Sequence, residues 1–399
     1  MNPTTQTSRG PLDGLRIVEF CQVAAGPFCG MLLADMGAEV IKVESPEGDG
    51  LRSWPPLTPP ATSSSAEDGF SENFASLNRN KRSVVFNLKD PAQRDRARRL
   101  ALSADVLIEN FRPGVMAKLG LGYDTLSSDK SSLVYCSISA FGQEGPRAQE
   151  GGFDLTVQAM GGVMSVTGEA GGPPVKCGVP ISDFSAGLYA AFAIVSAARQ
   201  AAASGRGTHI DCSMLGATLG VAALQTSEYF GNGRDPQKMG SAHPRNAPYQ
   251  AFKAKNGYFT MAAGNNKLWR SACEAIDRVD LADDVRFSST SLRAQHQEVL
   301  RHILEAEFAH HATDQLIARF AARGVPCAPI QAYSQVLTDP QVAHMGWVMP
   351  LELPNGSSTL TFGSPLRLRG QPFNIYRRPP SLGEHTEEVM AELDYFTGP

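Results

Sequence analysis

Five short runs rich in β-branched and apolar residues, LRIVEF (15–20), AEVIKV (38–43), SVVFNL (83–88), DVLIEN (105–110) and LVYCSIS (133–139), alternate with stretches of helical character. Strands separated by helices pair in parallel, and the helices then cover both faces of the sheet. The fold class that follows is α/β, with a Rossmann-like large domain. GRGTHIDCSML reads as a turn and a further strand, and a helical passage runs from it toward Phe230. Between the second and third strands lies a polar, Pro- and Ser-rich segment, Ser45 to Ser71, too long for an ordinary connection and expected to be a surface loop beside a site. Residues 225–330 carry their own strand, NGYFTMAA, and several helices, and form a smaller α+β domain. From 331 the chain returns to Pro-punctuated strands (VMPLELP, STLTFGSPLRL) and ends in GEHTEEVMAEL, where Thr386 is placed to cap a final helix. The domains are therefore read as 11–224, 225–330 and 331–399.

With 399 residues, 42% of them hydrophobic and 19% charged, the chain buries a substantial core in two or three domains. A net charge of −4 offers no basic face to a nucleic-acid backbone and no polybasic patch to a membrane, so neither is expected as a partner. MNPTTQTSRG lacks the charged and apolar segments of a secretory signal and reads as a short disordered tail. The longest apolar run, Leu188 to Ala198, is about half of what a bilayer requires. The seven cysteines are scattered without a C-x-x-C pair, which favours neither a disulfide framework nor a zinc site and fits a reducing cytoplasm. The eight histidines show no ligand spacing, and no metal is expected.

One carboxylate stands apart. Asp183 follows a glycine-rich run from Leu155 to Ser182 in which only Glu169 and Lys176 are charged, and it opens the small-residue helical stretch FSAGLYAAFAIVSAA. Near a helix N-terminus the unpaired amides favour an anion, while apolar neighbours exclude the water that would blunt its nucleophilicity. A helix N-cap is the competing reading, and the segment by itself leaves both open. The first strand-to-helix turn, EFCQVAAGPFCG, lacks G-x-G-x-x-G, which disfavours a nicotinamide dehydrogenase; Ala24, Ala25 and Gly26 still let a ligand approach the backbone. Basic residues recur near successive strand ends: Lys42, Lys81, Arg82, Lys89, Arg112 and Lys118. Singly they are solvated charges; brought to one sheet edge they form a polyphosphate site. No G-x-S-x-G elbow supports a serine hydrolase.

Taken in order, PLDGLRIVEF, AAGPFCGMLLADMGAEVIKVE, NRNKRSVVFNLKD, ADVLIENFRPGVMAKLGLGYDTL, SISAFGQEGP, GGFDLTVQAMGG, VPISDFSAGLYA and LGEHTEEV resemble the class III coenzyme A transferases over nearly the whole chain, Pro11 to Leu393. The resemblance implies a Rossmann-like large domain built from both chain ends, a smaller central domain and an interlocked homodimer. It implies that Asp183, in VPISDFSAG, is the nucleophile, forming an aspartyl anhydride and then an aspartyl-CoA thioester. It further implies that coenzyme A lies along Ala24, Ala25, Phe86, Lys89, Asn110, Phe111, Arg112 and Lys118. No cofactor is permanently bound, since the CoA thioester is the substrate. Backbone amides must stabilise each oxyanion, and Gly161-Gly162 and Gly171-Gly172 are candidates. The segments GSAHPRNAPYQAFKAKNGY and AAGNN look like those of the branch that uses succinyl-CoA and dicarboxylates, with His243 or Arg245 as partner for the second carboxylate. Two alternatives share the fold. A 2-methylacyl-CoA racemase needs a base where this chain has Phe153, and a non-catalytic acyl-CoA-binding protein would not need Asp183.

Overall fold

The computed structural model describes residues 9–62, 68–370 and 373–396. The tail read at residues 1–10 lies outside them apart from Arg9 and Gly10, as do residues 63–67 of the polar loop. Two compact units are present. One comprises residues up to Val163, Lys176–Gly231 and Ala343 onward; the other comprises Met164–Val175 and Asn232–Val342.

The first unit is built on six strands, β1 (Arg16–Phe20), β2 (Glu39–Glu44), β3 (Lys81–Val85), β4 (Val106–Glu109), β5 (Val134–Ser139) and β6 (His209–Ser213). Every neighbouring pair is parallel, and the order is β3-β2-β1-β4-β5-β6, that of a dinucleotide-binding sheet. Alternate residues feed two cores. Ile17, Val106, Ile108, Val134 and Cys136 face one side, and Val18, Ile41, Leu107 and Tyr135 the other. The first core is closed by α1 (Ala25–Asp35), α4 (Ile181–Ser204) and α5 (Met214–Val221), the second by α2 (Pro91–Ser103) and α6 (Thr386–Phe396); the short helix α3 (Asp154–Met160) packs on α4 and α5.

Four readings change. Strand β3 starts at Lys81, so Lys81 and Arg82 are strand residues rather than loop cations. The apolar run Leu188 to Ala198 belongs to α4, whose 24 residues are long and apolar enough to cross a bilayer, with a mean hydropathy of 1.4 over its best window. Its Ala186, Ala190, Ile194, Ala197 and Ala201 recur at helical spacing and join the core, so the length serves packing on α1 and the sheet. Thr386 is the first residue of α6, not its cap: its hydroxyl accepts from the Val85 amide at 3.1 Å and donates to the Gly383 carbonyl at 2.8 Å. The C-terminal segment is thereby stitched to β3, with His385 N–H donating to the Ser83 carbonyl and Val389, Met390 and Leu393 buried. Finally, the second unit begins at Asn232 and ends at Val342 rather than at 225 and 330, and it takes in Met164–Val175 because Gly240 N–H donates to the Gly168 carbonyl and Lys238 Nζ to the carbonyls of Gly172 and Pro173.

That second unit has a three-stranded antiparallel sheet of Tyr249–Ala254, Gly257–Ala262 and Cys327–Pro329. Phe252, Phe259, Phe308 and Phe320 pack on one another edge-on or stacked to form its core.

Candidate active site

In the sheet order the chain leaves β1 toward β2 on one side and reaches β4 on the other, and ligands of open α/β sheets bind beyond the carboxyl ends at such a switch point. Here the segments that follow β1 and β4, Gln22–Ala25 and Asn110–Pro113, line a cavity of about 260 Å³ together with Ser139, Gly151–Phe153, Asp183 and Met214. A second cavity of about 450 Å³ is lined by Ser45, Phe86, Lys89 and Lys118 and shares Gln22 and Phe111 with the first. Asp183 and the eight residues expected to contact coenzyme A all line one or both.

Asp183 is the third residue of α4, half-buried, and does not cap the helix. Pro180 holds the N-cap position without a side-chain bond, and the amide of Ser182 donates to Asp154 Oδ1 at 3.0 Å. The helix end is thus satisfied by a carboxylate from another segment. The Asp183 carboxylate itself accepts no hydrogen bond among the described residues. Burial, and then the charge of Asp154, push its pKa up to about 7. The expected stabilisation of the anion by the helix end is therefore outweighed: desolvation raises a carboxyl pKa, and here no donor offsets it. A carboxylate of raised basicity without hydrogen bonds is a better nucleophile than a solvated one.

Of the six cations singled out by position, three reach the cavities and three do not. Lys89, Arg112 and Lys118 line them, are exposed, and form no ion pair among the described residues. Lys42 and Lys81 are fully buried, both donating to Glu19, and Arg82 is held by Glu39 and Glu392. Their partners are distant in sequence, which is why they read as surface charges. Phe86 is 2% exposed and is chiefly a core residue. The Asn110 side chain is committed in both directions to Gln22, accepting from its amide at 3.0 Å and donating to its carbonyl at 2.8 Å. His243 and Arg245 lie in the second unit, before the strand at Tyr249; His243 Nδ1 accepts the amides of Arg245 and Asn246, each at 3.1 Å, which puts the proton of a neutral ring on Nε2.

Residues 12–386 match the family described as CoA-transferase family III. The chain belongs to CoA-transferase family III. It is 39% identical over 385 residues to the succinate–glutarate CoA-transferase of Agrobacterium fabrum, covering 96% of each chain. It is 36% identical over 387 residues to the succinyl-CoA:glutarate CoA-transferase of Mus musculus, covering 97% of this chain and 87% of that one. A CAIB/BAIF family protein from Brucella suis has the same fold, with a TM-score of 0.85 at 38% identity over 96% of this chain and all of that one.

Two features of this transferase escaped the sequence reading. The Gly161 amide donates to the Val157 carbonyl and the Gly172 amide to that of Glu169, so neither is a free oxyanion donor. Gly151 and Gly152, by contrast, line the cavity with Asp183, and their amides make no hydrogen bond among the described residues. A Cβ at Gly152 would come within 2.6 Å of Ala140 Cβ, so only glycine allows this approach. The second feature is the bracket behind the nucleophile. Fully buried Gln158 donates to Asp154 Oδ2 at 2.7 Å and accepts the Cys177 amide at 2.8 Å, tying the segment before α4 to α3. Its signal was present: Asp154 and Gln158 stand four apart, on one face of a helix.

Proposed function

We propose that this CoA-transferase carries coenzyme A from succinyl-CoA to a dicarboxylate of the glutarate type, with Asp183 as the covalent carrier. The observation that carries the reading is the Asp183 carboxylate, basic and without a hydrogen bond among the described residues, in one of two adjoining cavities, the other of which is lined by Lys89 and Lys118, unpaired among those same residues. Names of the relatives supply the acid class: two are named for succinate or succinyl-CoA and glutarate.

A carboxylate oxygen of Asp183 attacks the thioester carbonyl, the C–S bond breaks, and CoA leaves as thiolate, giving a mixed anhydride. The thiolate attacks the aspartyl carbonyl, releasing succinate and leaving an aspartyl-CoA thioester. The acceptor carboxylate then displaces the thiolate to form a second anhydride, and the thiolate attacks the acceptor's carbonyl, regenerating Asp183. Each step exchanges one acyl bond for another, so neither water nor ATP is consumed. Gly151 and Gly152 amides serve the oxyanions. Lys89, Arg112 and Lys118 meet the phosphates, Ala24, Ala25, Phe86 and Phe111 the apolar parts, and Asn110 acts by shaping the Gln22 turn. His243 and Arg245, in the second unit, are the side chains proposed for the acceptor's distal carboxylate, on their chemistry as an imidazole N–H donor and a guanidinium. The ring of Phe153 accepts no proton, which removes the second base that racemisation requires. Seven free thiols suit a reducing compartment, the cytoplasm.

The test is mass spectrometry of CoA esters after incubation with succinyl-CoA and a panel of carboxylates, in parallel with Asp183→Ala. New dicarboxylyl-CoA esters that vanish in the variant support the reading, and esters that persist in it refute it. His243→Ala/Arg245→Ala is expected to raise KM for the dicarboxylate roughly tenfold or more and to leave that for succinyl-CoA unchanged; an unchanged acceptor KM rejects these two residues.

A further inference from the structure

Val23, in the wall of the cavity that holds Asp183, has a left-handed backbone, φ +64°. For a β-branched residue this conformation is strained, and it persists only where the surroundings over-determine it. They do. Lys42 Nζ donates to the Cys21 carbonyl at 2.7 Å, Asn110 holds both the amide and the carbonyl of Gln22, and the Val23 amide donates to Asp49 at 3.1 and 3.2 Å. Lys42 and Asp49 are in turn 2.9 Å apart with side chains at 0% exposure, and Lys42 also donates to Glu19 at 3.2 Å.

A buried ion pair is poor evidence of stabilisation, because apolar replacements of similar volume are often as stable. Its use must lie elsewhere. Neither Lys42 nor Asp49 lines either of the two cavities described above, yet each ends on a backbone group of the same strained turn. We propose that the Lys42–Asp49 pair is a positioning device: it fixes Cys21–Ala24 in a conformation the turn does not adopt unaided and so sets the cavity wall beside Asp183. This rests on the reading of that cavity as the seat of acyl transfer.

The test compares wild type with Val23→Gly, Lys42→Met/Asp49→Leu and the triple variant combining them. Removing the pair is expected to lower kcat at least about tenfold, as small misplacements in a reactive site do. Glycine takes a positive φ without strain, so the triple variant should recover most of that loss, and removing the pair should cost far less kcat when Val23→Gly is already in place than in the wild-type background. A purely structural role would lower the melting temperature of the double variant but would not let Val23→Gly restore its kcat. A folded double variant with wild-type kcat, or a triple variant no better than the double, overturns the proposal. Hydrogen exchange on the wild-type protein provides a test that needs neither the folding of a variant nor the reaction: the Val23 amide, held by Asp49, should exchange as slowly as those of β1, and fast exchange there overturns the clamp. If wild type transfers no CoA, the functional reading fails while the exchange result still decides the clamp.

Discussion

At Asp183 two effects oppose each other: a first-turn position favours the anion, whereas burial and the neighbouring Asp154 disfavour it, and the second pair prevails. The consequence for rate is that kcat/KM for succinyl-CoA should rise with pH up to about 7, as the carboxylate forms. Asp154→Asn removes the like charge, so the rising limb should move to lower pH; a limb that stays in place shows that burial alone sets it. The consequence for stability has the opposite sign. Between the ordinary aspartate value of 3.8 and the folded value near 7 the folded protein holds more protons than the unfolded chain, so this group's contribution falls as pH rises. Asp183→Asn should therefore gain on wild type through that window, by at most on the order of 1.4 kcal/mol per pH unit. Melting curves of both proteins at pH 4 and pH 8 check this, and a constant difference contradicts it. What placed Asp183 in the sequence was local, an acid at the edge of a nearly uncharged run. What tunes it was not: Asp154 reaches Ser182 across 28 positions, a pairing that only the folded chain creates.

Helices α1 and α4 carry the two walls of the cavity, Ala24–Ala25 and Asp183, and they touch through small residues. A Cβ at Gly187 would lie 2.9 Å from the Ala25 carbonyl oxygen and 2.8 Å from the Phe28 ring. Gly187→Ala should therefore push the helices apart, costing about 1–3 kcal/mol by overpacking and lowering kcat together with the melting temperature. Wild-type values for both would show that the contact is slack. Strands β1, β2, β4 and β5 were legible because buried parallel strands are written as largely apolar runs, whereas β6, HIDCS at the sheet edge and only partly buried, was legible from the turn that precedes it. Strand β3 was misplaced because it opens with Lys81 and Arg82, and charges read as solvated unless their partners are known. Those partners, Glu19, Glu39 and Glu392, lie up to 310 residues away.

The whole first unit leaves much apolar surface uncovered. Phe192 is 75% exposed, Leu188 55% and Tyr189 45% along α4, and Phe230 is 81% exposed. The interlocked dimer that the resemblance implies is expected to cover such residues with a second copy of the chain. Sedimentation should give a mass of two chains, about twice 42.7 kDa, at micromolar concentration, and Phe192→Asp should shift it toward one; a wild-type monomer would contradict that expectation. The covalent route itself is tested most directly by incubating the protein with succinyl-CoA and no acceptor, trapping with hydroxylamine and mapping the modified peptide. A hydroxamate is expected on Asp183, absent in Asp183→Asn. CoA exchange that proceeds with Asp183 unmodified, or with the label on another residue, would contradict it.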